Sequence, residues 1–152
     1  MSVSIVQRRR LCAHPLHAVL IAGAMPLFVG ALLSDLAYSN SQQVQWANFA
    51  SWLLVGAMVL TGFALAWALV SLLWPAGRTG RPLLLLGLLA ATFIIGFIDA
   101  LLHTRDAWAM MPGGLIASVI VALTAVAATW TAFAPVRDED ATGETVRSEQ
   151  VQ

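Results

Sequence analysis

Four apolar windows, at 16–36, 49–73, 83–102 and 114–133, constrain this chain more than any other feature of its sequence. Each holds about 20 residues, which as a helix rising about 1.5 Å per residue spans about 30 Å of hydrocarbon. Residues are 59% hydrophobic and only 11% charged, so the chain has too little polar surface for a soluble domain. The sequence therefore predicts an all-α fold, an integral membrane four-helix bundle.

The chain outside these windows is short and polar. We predict a cytoplasmic N-terminal segment at 1–15, a transmembrane domain at 16–134 and a flexible cytoplasmic tail at 135–152. The tail is acidic and has few large apolar side chains, so it cannot bury enough surface to fold. The connections between windows are short, which makes consecutive helices antiparallel neighbours in an up-down-up-down order.

The basic residues indicate the orientation of the helices. All eight are arginines: three at 8–10, two in the second connection, two in the tail, one in the third connection (Arg105) and none in the first. Cytoplasmic segments of membrane proteins are enriched in arginine and lysine. The sequence therefore predicts a multi-pass protein with both its N-terminus and its C-terminus in the cytoplasm.

Ionisable residues in or beside the apolar windows are the candidates for chemistry, because a charge at the bilayer centre costs at least about 2.5–3.5 kcal/mol. The chain has no glycine-rich nucleotide motif, no nucleophile elbow and no paired-cysteine spacing. It is therefore predicted not to be an enzyme. The candidates are His14, His17, Asp35, Asp99 and His103.

His14 and His17 are candidate cofactor-binding residues, with a b-type haem as the group to consider. Eighteen residues separate His17 from Asp35, about 27 Å along a helix, so His17 and the outer His103 cannot ligate one iron. A haem would need symmetry-related histidines in a homodimer. The alternative is structural, since Pro15 suits the first turn of a helix that carries His17 at the interface. The cofactor, if any, stays unknown.

Asp35, Asp99 and His103 are candidate metal ligands at the predicted outer end. Asp99 and His103 are four residues apart and share one helix face, and the parallel first helix brings Asp35 to a similar depth. With Met110 and Met111 nearby, a copper or zinc site is one interpretation. A hydrogen-bonded polar cluster that fixes helix register is the other. Both interpretations require the three side chains to converge inside the bundle.

Three stretches, "HPLHAVLIAGAMPLFVGALLSDLAY", "QWANFASWLLVGAM" and "GFIDALLHTRDAWAMMPGGLIASVIVAL", make the chain similar to a bacterial family of predicted membrane proteins, domain of unknown function 2231. The resemblance covers about 13–134 and implies a small protein of the bacterial inner membrane with four helices and no established activity. Many relatives carry a histidine and an asparagine at the start of the last helix, where this chain has "MMPGGLIAS". Some relatives look like partners of periplasmic redox enzymes.

The favoured functional hypothesis is a non-catalytic anchor or accessory subunit for a periplasmic or membrane partner. Its expected partners are the lipid bilayer, a periplasmic redox protein and further copies of the chain in a homo-oligomer, with no nucleic acid. One alternative is a redox carrier that binds a b-type haem, a quinone or a metal in the bundle. A second alternative is a small oligomeric transporter.

The predicted orientation leads to a direct test. Alkaline phosphatase, which is active only after export, is expected to be inactive when fused after Gln152, because seven of the eight arginines lie on segments assigned to the cytoplasm. A fusion in the first connection, after Ser41, serves as the matched control and is expected to be active. The reverse pattern of phosphatase activity would overturn the orientation.

Overall fold

The computed structural model describes residues 15–73, 80–105 and 107–134. They form five helices: α1 (Pro15–Ser41), α2 (Val44–Ser71), α3 (Gly80–His103), α4 (Ala107–Met110) and α5 (Gly113–Phe133). The four long helices are long and apolar enough to cross a membrane, with mean hydropathies of 2.0 to 2.3. The prediction of an all-α four-helix membrane bundle is confirmed. His14 and the predicted terminal segments lie outside the described residues, apart from the last residue of the first segment, Pro15.

In cross-section the four long helices form a square, and long helices that follow one another in the sequence pack side by side. α1 packs on α2 and α5, and α3 packs on the same two helices, so α1 and α3 face each other across the diagonal. α1 and α3 run in the same direction and therefore end on the same side of the bundle, next to α4. We call this side the α4 end. Residues near the C-termini of α1 and α3 can meet there.

The first connection is much shorter than the stretch at 37–48 that the sequence left between the first two apolar windows. α1 continues to Ser41 and α2 begins at Val44. Gln42 has a left-handed φ of 55°, and its N–H donates to the carbonyl oxygen of Tyr38 at 2.8 Å, which closes α1. The loop prediction was wrong because it ended each helix with its apolar window, whereas polar residues extend α1 into the headgroup region.

Small side chains fill the centre of the bundle around Phe28, which is fully buried. Small residues spaced by about four are typical of helix contacts in membranes, and on α5 this pattern, which contains Ser118, Ala122 and Ala125, is buried as expected.

The same pattern on α1 predicts that Ala22 and Pro26 lie in a helix contact, and this prediction is wrong because both residues are exposed. Each step of four residues turns about 40° beyond a full turn, so a row spaced by four leaves the packed face. The buried stripe of α1 instead alternates steps of three and four and contains Ile21, Ala24, Phe28, Ala31, Asp35 and Tyr38.

Arg81 joins α3 to α5 at the side opposite the α4 end. Its Nε and Nη2 atoms donate to the carbonyl oxygen of Thr131 at 3.1 and 2.8 Å, and Nη2 also donates to the carbonyl oxygen of Ala134. Carbonyls in the last turn of a helix have no partner within that helix. The arginine therefore satisfies the end of α5 and fixes it against the start of α3.

Gly96 is the position at which the packing of α3 is most sensitive to added volume. A Cβ atom there would lie 2.8 Å from Met58 Sδ and 3.2 Å from the ring of Phe28. We expect Gly96→Leu to lower the free energy of unfolding by about 1–3 kcal/mol through overpacking. Leu84→Ala is the control, because the side chain of Leu84 is 57% exposed. Equal thermal midpoints of the two variants in detergent would contradict this assignment.

Candidate metal-binding site

The structure brings Asp35, Asp99 and His103 together inside the bundle at the α4 end. Both aspartates are completely buried, and the His103 side chain is only 2% exposed. One ligand atom from each residue lies within 4.8 Å of the others. The predicted convergence of these three side chains is confirmed. Their role as metal ligands stays a prediction.

α3 orients His103 through its own backbone. His103 Nδ1 lies 2.9 Å from the carbonyl oxygen of Asp99, one turn earlier, and accordingly donates its hydrogen to that oxygen. The same nitrogen is 3.2 Å from Asp99 Oδ1. The imidazole is thereby held with Nε2 directed across the bundle, where it lies 2.9 Å from Asp35 Oδ1.

Ser118 of α5 completes the group, although it was not among the candidate residues predicted from the sequence. Its hydroxyl oxygen contacts Asp35 Oδ2 and lies 2.9 Å from Asp99 Oδ2. Ser118 is the sixth residue of α5, which begins at the α4 end, so its depth could have been matched to that of Asp35. We call Asp35, Asp99, His103 and Ser118 the acid–histidine cluster.

Hydrogen bonds within the acid–histidine cluster do not satisfy all of its oxygen atoms. The Ser118 hydroxyl has one hydrogen and contacts two carboxyl groups, so it can donate to only one of them. Asp99 Oδ1 is buried and forms no hydrogen bond, because His103 Nδ1, which lies 3.2 Å away, donates its hydrogen to the carbonyl oxygen of Asp99. Of the two arginines within the described residues, Arg81 lies at the opposite side and Arg105 is exposed. The cluster thus has more buried acceptors than donors.

An apolar layer closes the acid–histidine cluster on the side facing the bundle centre. This layer lies one to two turns further into the bundle than the cluster, and each of its residues is fully buried. Its members are Phe28, Ala31, Leu54 and Val121, which pack together. Because its side chains are apolar, this layer separates the polar groups of the cluster from the opposite side of the bundle.

A second group of buried residues covers the acid–histidine cluster at the α4 end. Tyr38, Ala47 and Met110 pack together, with Met111 partly buried against them. A Cβ atom on Gly114 would lie 2.9 Å from Met110 Cγ and 3.5 Å from His103 Cε1. The absence of a side chain at Gly114 therefore allows α5 to approach both residues. Met110 lies beside the cluster, as the sequence predicted.

His17 lies at the opposite side of the bundle and is 6% exposed. Its Nε2 atom is 3.1 Å from the carbonyl oxygen of Ala64, and its ring stacks on Trp67 with 6.5 Å between ring centroids. Haem ligation through Nε2 would require this contact with α2 to break. The geometry favours the structural interpretation of His17, while the cofactor hypothesis for His14 and His17 stays a prediction.

Comparisons with known proteins place the chain in one family. A family model described as "Predicted membrane protein (DUF2231)" matches residues 13–148, which include the whole acid–histidine cluster. No curated protein and no solved structure matches the chain. Since the family model covers most of the sequence and its description agrees with the four apolar helices, this chain belongs to the DUF2231 family of predicted membrane proteins.

Proposed function

We propose that this protein is a non-catalytic integral membrane protein that binds one divalent transition-metal ion in the acid–histidine cluster. The observation that carries the proposal is the convergence of buried ligand atoms from Asp35, Asp99 and His103 within 4.8 Å of one another. Oxygen and nitrogen ligands lie about 2.0–2.2 Å from Zn²⁺, which separates two ligands of a tetrahedral ion by about 3.4 Å. Binding would therefore draw the three side chains closer together than the 4.8 Å within which their ligand atoms lie.

The orientation of His103 supports metal binding. Histidines that ligate metals usually donate their other ring N–H to a carbonyl or carboxylate, which fixes the tautomer. His103 Nδ1 has this arrangement with the carbonyl oxygen of Asp99 at 2.9 Å. The Nε2 atom, the second potential ligand atom of the ring, faces Asp35. A metal ion between His103 Nε2 and Asp35 would therefore bind an imidazole ring that the backbone of α3 already orients.

Charge balance gives a second argument. Two carboxylates and a neutral imidazole around a divalent cation have no net charge, which suits a site with no exposed carboxylate surface. The ion would also provide a partner for Asp99 Oδ1, which internal hydrogen bonds leave without one. These two features favour a bound cation over a cluster held together by hydrogen bonds alone.

The ligand types select the class of ion. Carboxylate oxygens and one imidazole nitrogen suit Zn²⁺ and similar ions, whereas Ca²⁺ requires six to eight oxygen ligands and Cu⁺ prefers sulfur. Asp35, Asp99 and His103 supply three of the four ligands of a tetrahedral Zn²⁺ ion, and the Ser118 hydroxyl oxygen lies beside the position left for a fourth, neutral ligand. We therefore take Zn²⁺ as the probe.

The surroundings of the site favour a structural ion over a catalytic or transported one. A catalytic zinc site keeps an open coordination position, whereas here Ser118 contacts both carboxyl groups and the side chains of all three proposed ligands are buried. The apolar layer below would oppose passage of an ion through the bundle.

We propose that the protein is an accessory subunit, in which the ion fixes the α4 end for a partner in the periplasm or the membrane. Three helices contribute to the acid–histidine cluster, so an ion there would hold α1, α3 and α5 in one register. The α4 end is the side assigned to the periplasm by the arginine distribution.

Zinc binding tests the proposal directly. Purified protein carrying a tag without histidines is expected to bind one Zn²⁺ per chain in equilibrium dialysis. Asp35→Asn and Asp99→Asn each remove a charged ligand and are expected to weaken binding at least about tenfold. Ser34→Ala is the matched control, because Ser34 is buried on the same helix as Asp35 but its hydroxyl donates only to the carbonyl oxygen of Gly30. Binding that is equal in all four proteins would refute the site.

Thermal stability gives an independent measurement. Zn²⁺ at about one hundred times its dissociation constant is expected to stabilise the folded wild type by about 2.7 kcal/mol. Asp99→Asn keeps the shape of the side chain, so its thermal midpoint without metal should stay near that of the wild type, but Zn²⁺ should no longer raise it. A zinc-induced shift that persists in Asp99→Asn would place the ion elsewhere.

A further inference from the structure

A small cavity lies in the middle of the bundle, and three threonines from three different helices line it. They are Thr61 of α2, Thr92 of α3 and Thr129 of α5. The rest of the wall is almost entirely apolar and includes Ile21 and Leu89. Thr92 is seven residues, about 10 Å along α3, from Asp99. The cavity is therefore separate from the acid–histidine cluster.

The three hydroxyl groups differ in how they are satisfied. The hydroxyls of Thr92 and Thr129 donate to the carbonyl oxygens of Leu88 and Ala125, each at 2.8 Å, and keep lone pairs that can accept a hydrogen bond. The Thr61 hydroxyl is buried, with 1% of the residue exposed, and has no hydrogen-bond partner. An unsatisfied buried hydroxyl is unfavourable, and more so in a bundle surrounded by hydrocarbon.

We propose that this cavity binds one water molecule, which joins α2 to α3 and α5 at mid-height. The water accepts a hydrogen bond from Thr61 and donates its two hydrogens to the oxygen atoms of Thr92 and Thr129. Both hydrogens of the water and the hydrogen of the Thr61 hydroxyl are each donated once, and three hydrogen bonds is the usual number for a buried water.

The size of the cavity agrees with a single water molecule. The volume available to the centre of a water molecule is about 10 Å³, which is close to the minimum for one buried water. The three threonine hydroxyls distinguish this site from dry cavities, whose walls are apolar throughout. The proposal does not depend on metal binding at the acid–histidine cluster.

The sign of a stability change tests the water site. Thr61→Val keeps the shape of the side chain but removes the hydroxyl that donates to the water, so we expect a lower thermal midpoint in detergent than for the wild type. Thr61→Ser keeps the hydroxyl and is therefore expected to lower the thermal midpoint less than Thr61→Val does. If no water is bound, removing an unsatisfied hydroxyl should raise the midpoint in Thr61→Val, because the desolvation penalty disappears. A raised or unchanged midpoint in Thr61→Val overturns the proposal.

The control is Thr124→Val, since the Thr124 hydroxyl donates to the carbonyl oxygen of Val121 within α5 and the residue does not line the cavity. Its thermal midpoint should differ from that of the wild type by less than that of Thr61→Val. A direct measurement uses wild-type protein, so it does not depend on the folding of a variant. Nuclear Overhauser effects between a long-lived water and the Thr61 and Thr92 side chains are expected in perdeuterated micelles, and their absence would refute the site.

Discussion

Burial of two carboxyl groups in a bundle surrounded by hydrocarbon governs how the helices are arranged. Neither Asp35 nor Asp99 exposes any surface, and a carboxyl group turned towards lipid would be strongly unfavourable. Each aspartate therefore fixes the rotation of its helix about the helix axis. Once the rotation of α3 is fixed, the position of His103 is fixed as well, because His103 lies one turn beyond Asp99 on the same face of α3.

Contact across the diagonal of a four-helix bundle requires small residues on the two helices between. Ala50 of α2 and Ser118 of α5 meet this requirement near the depth of the aspartates, and both are completely buried. Gly114 allows the start of α5 to approach His103 and Met110. The small residues thus do more than permit close helix packing, since they leave space in which side chains of α1 and α3 can meet. Within that space, Ser118 adds the only hydroxyl that contacts both carboxyl groups among the described residues.

The sequence predicted the four helices, their order and the convergence of Asp35, Asp99 and His103, because hydrocarbon imposes strict length and burial constraints on each helix. It did not predict the bridging role of Ser118. A serine is common in helix contacts, and only the depth and rotation of α5 bring its hydroxyl to the two carboxyl groups. The ends of α1 and α2 were also missed, since polar residues can continue a helix beyond the apolar window. Rotation and helix ends depend on contacts between helices, which a pattern within one helix does not contain.

The acid–histidine cluster and the threonine-lined cavity are separate polar centres, and the apolar layer between them determines what each can do. The acid–histidine cluster lies at the α4 end, whereas the cavity at Thr61 lies at mid-height, with Leu54 and Val121 among the buried residues of the intervening layer. A charged species moving from one centre to the other would have to cross this layer without a polar partner, at a high cost in free energy. An uncharged water molecule held by hydroxyl groups carries no such penalty at mid-height. The distribution of polar groups therefore suits a protein that holds a cation near one surface and keeps the middle of its bundle neutral.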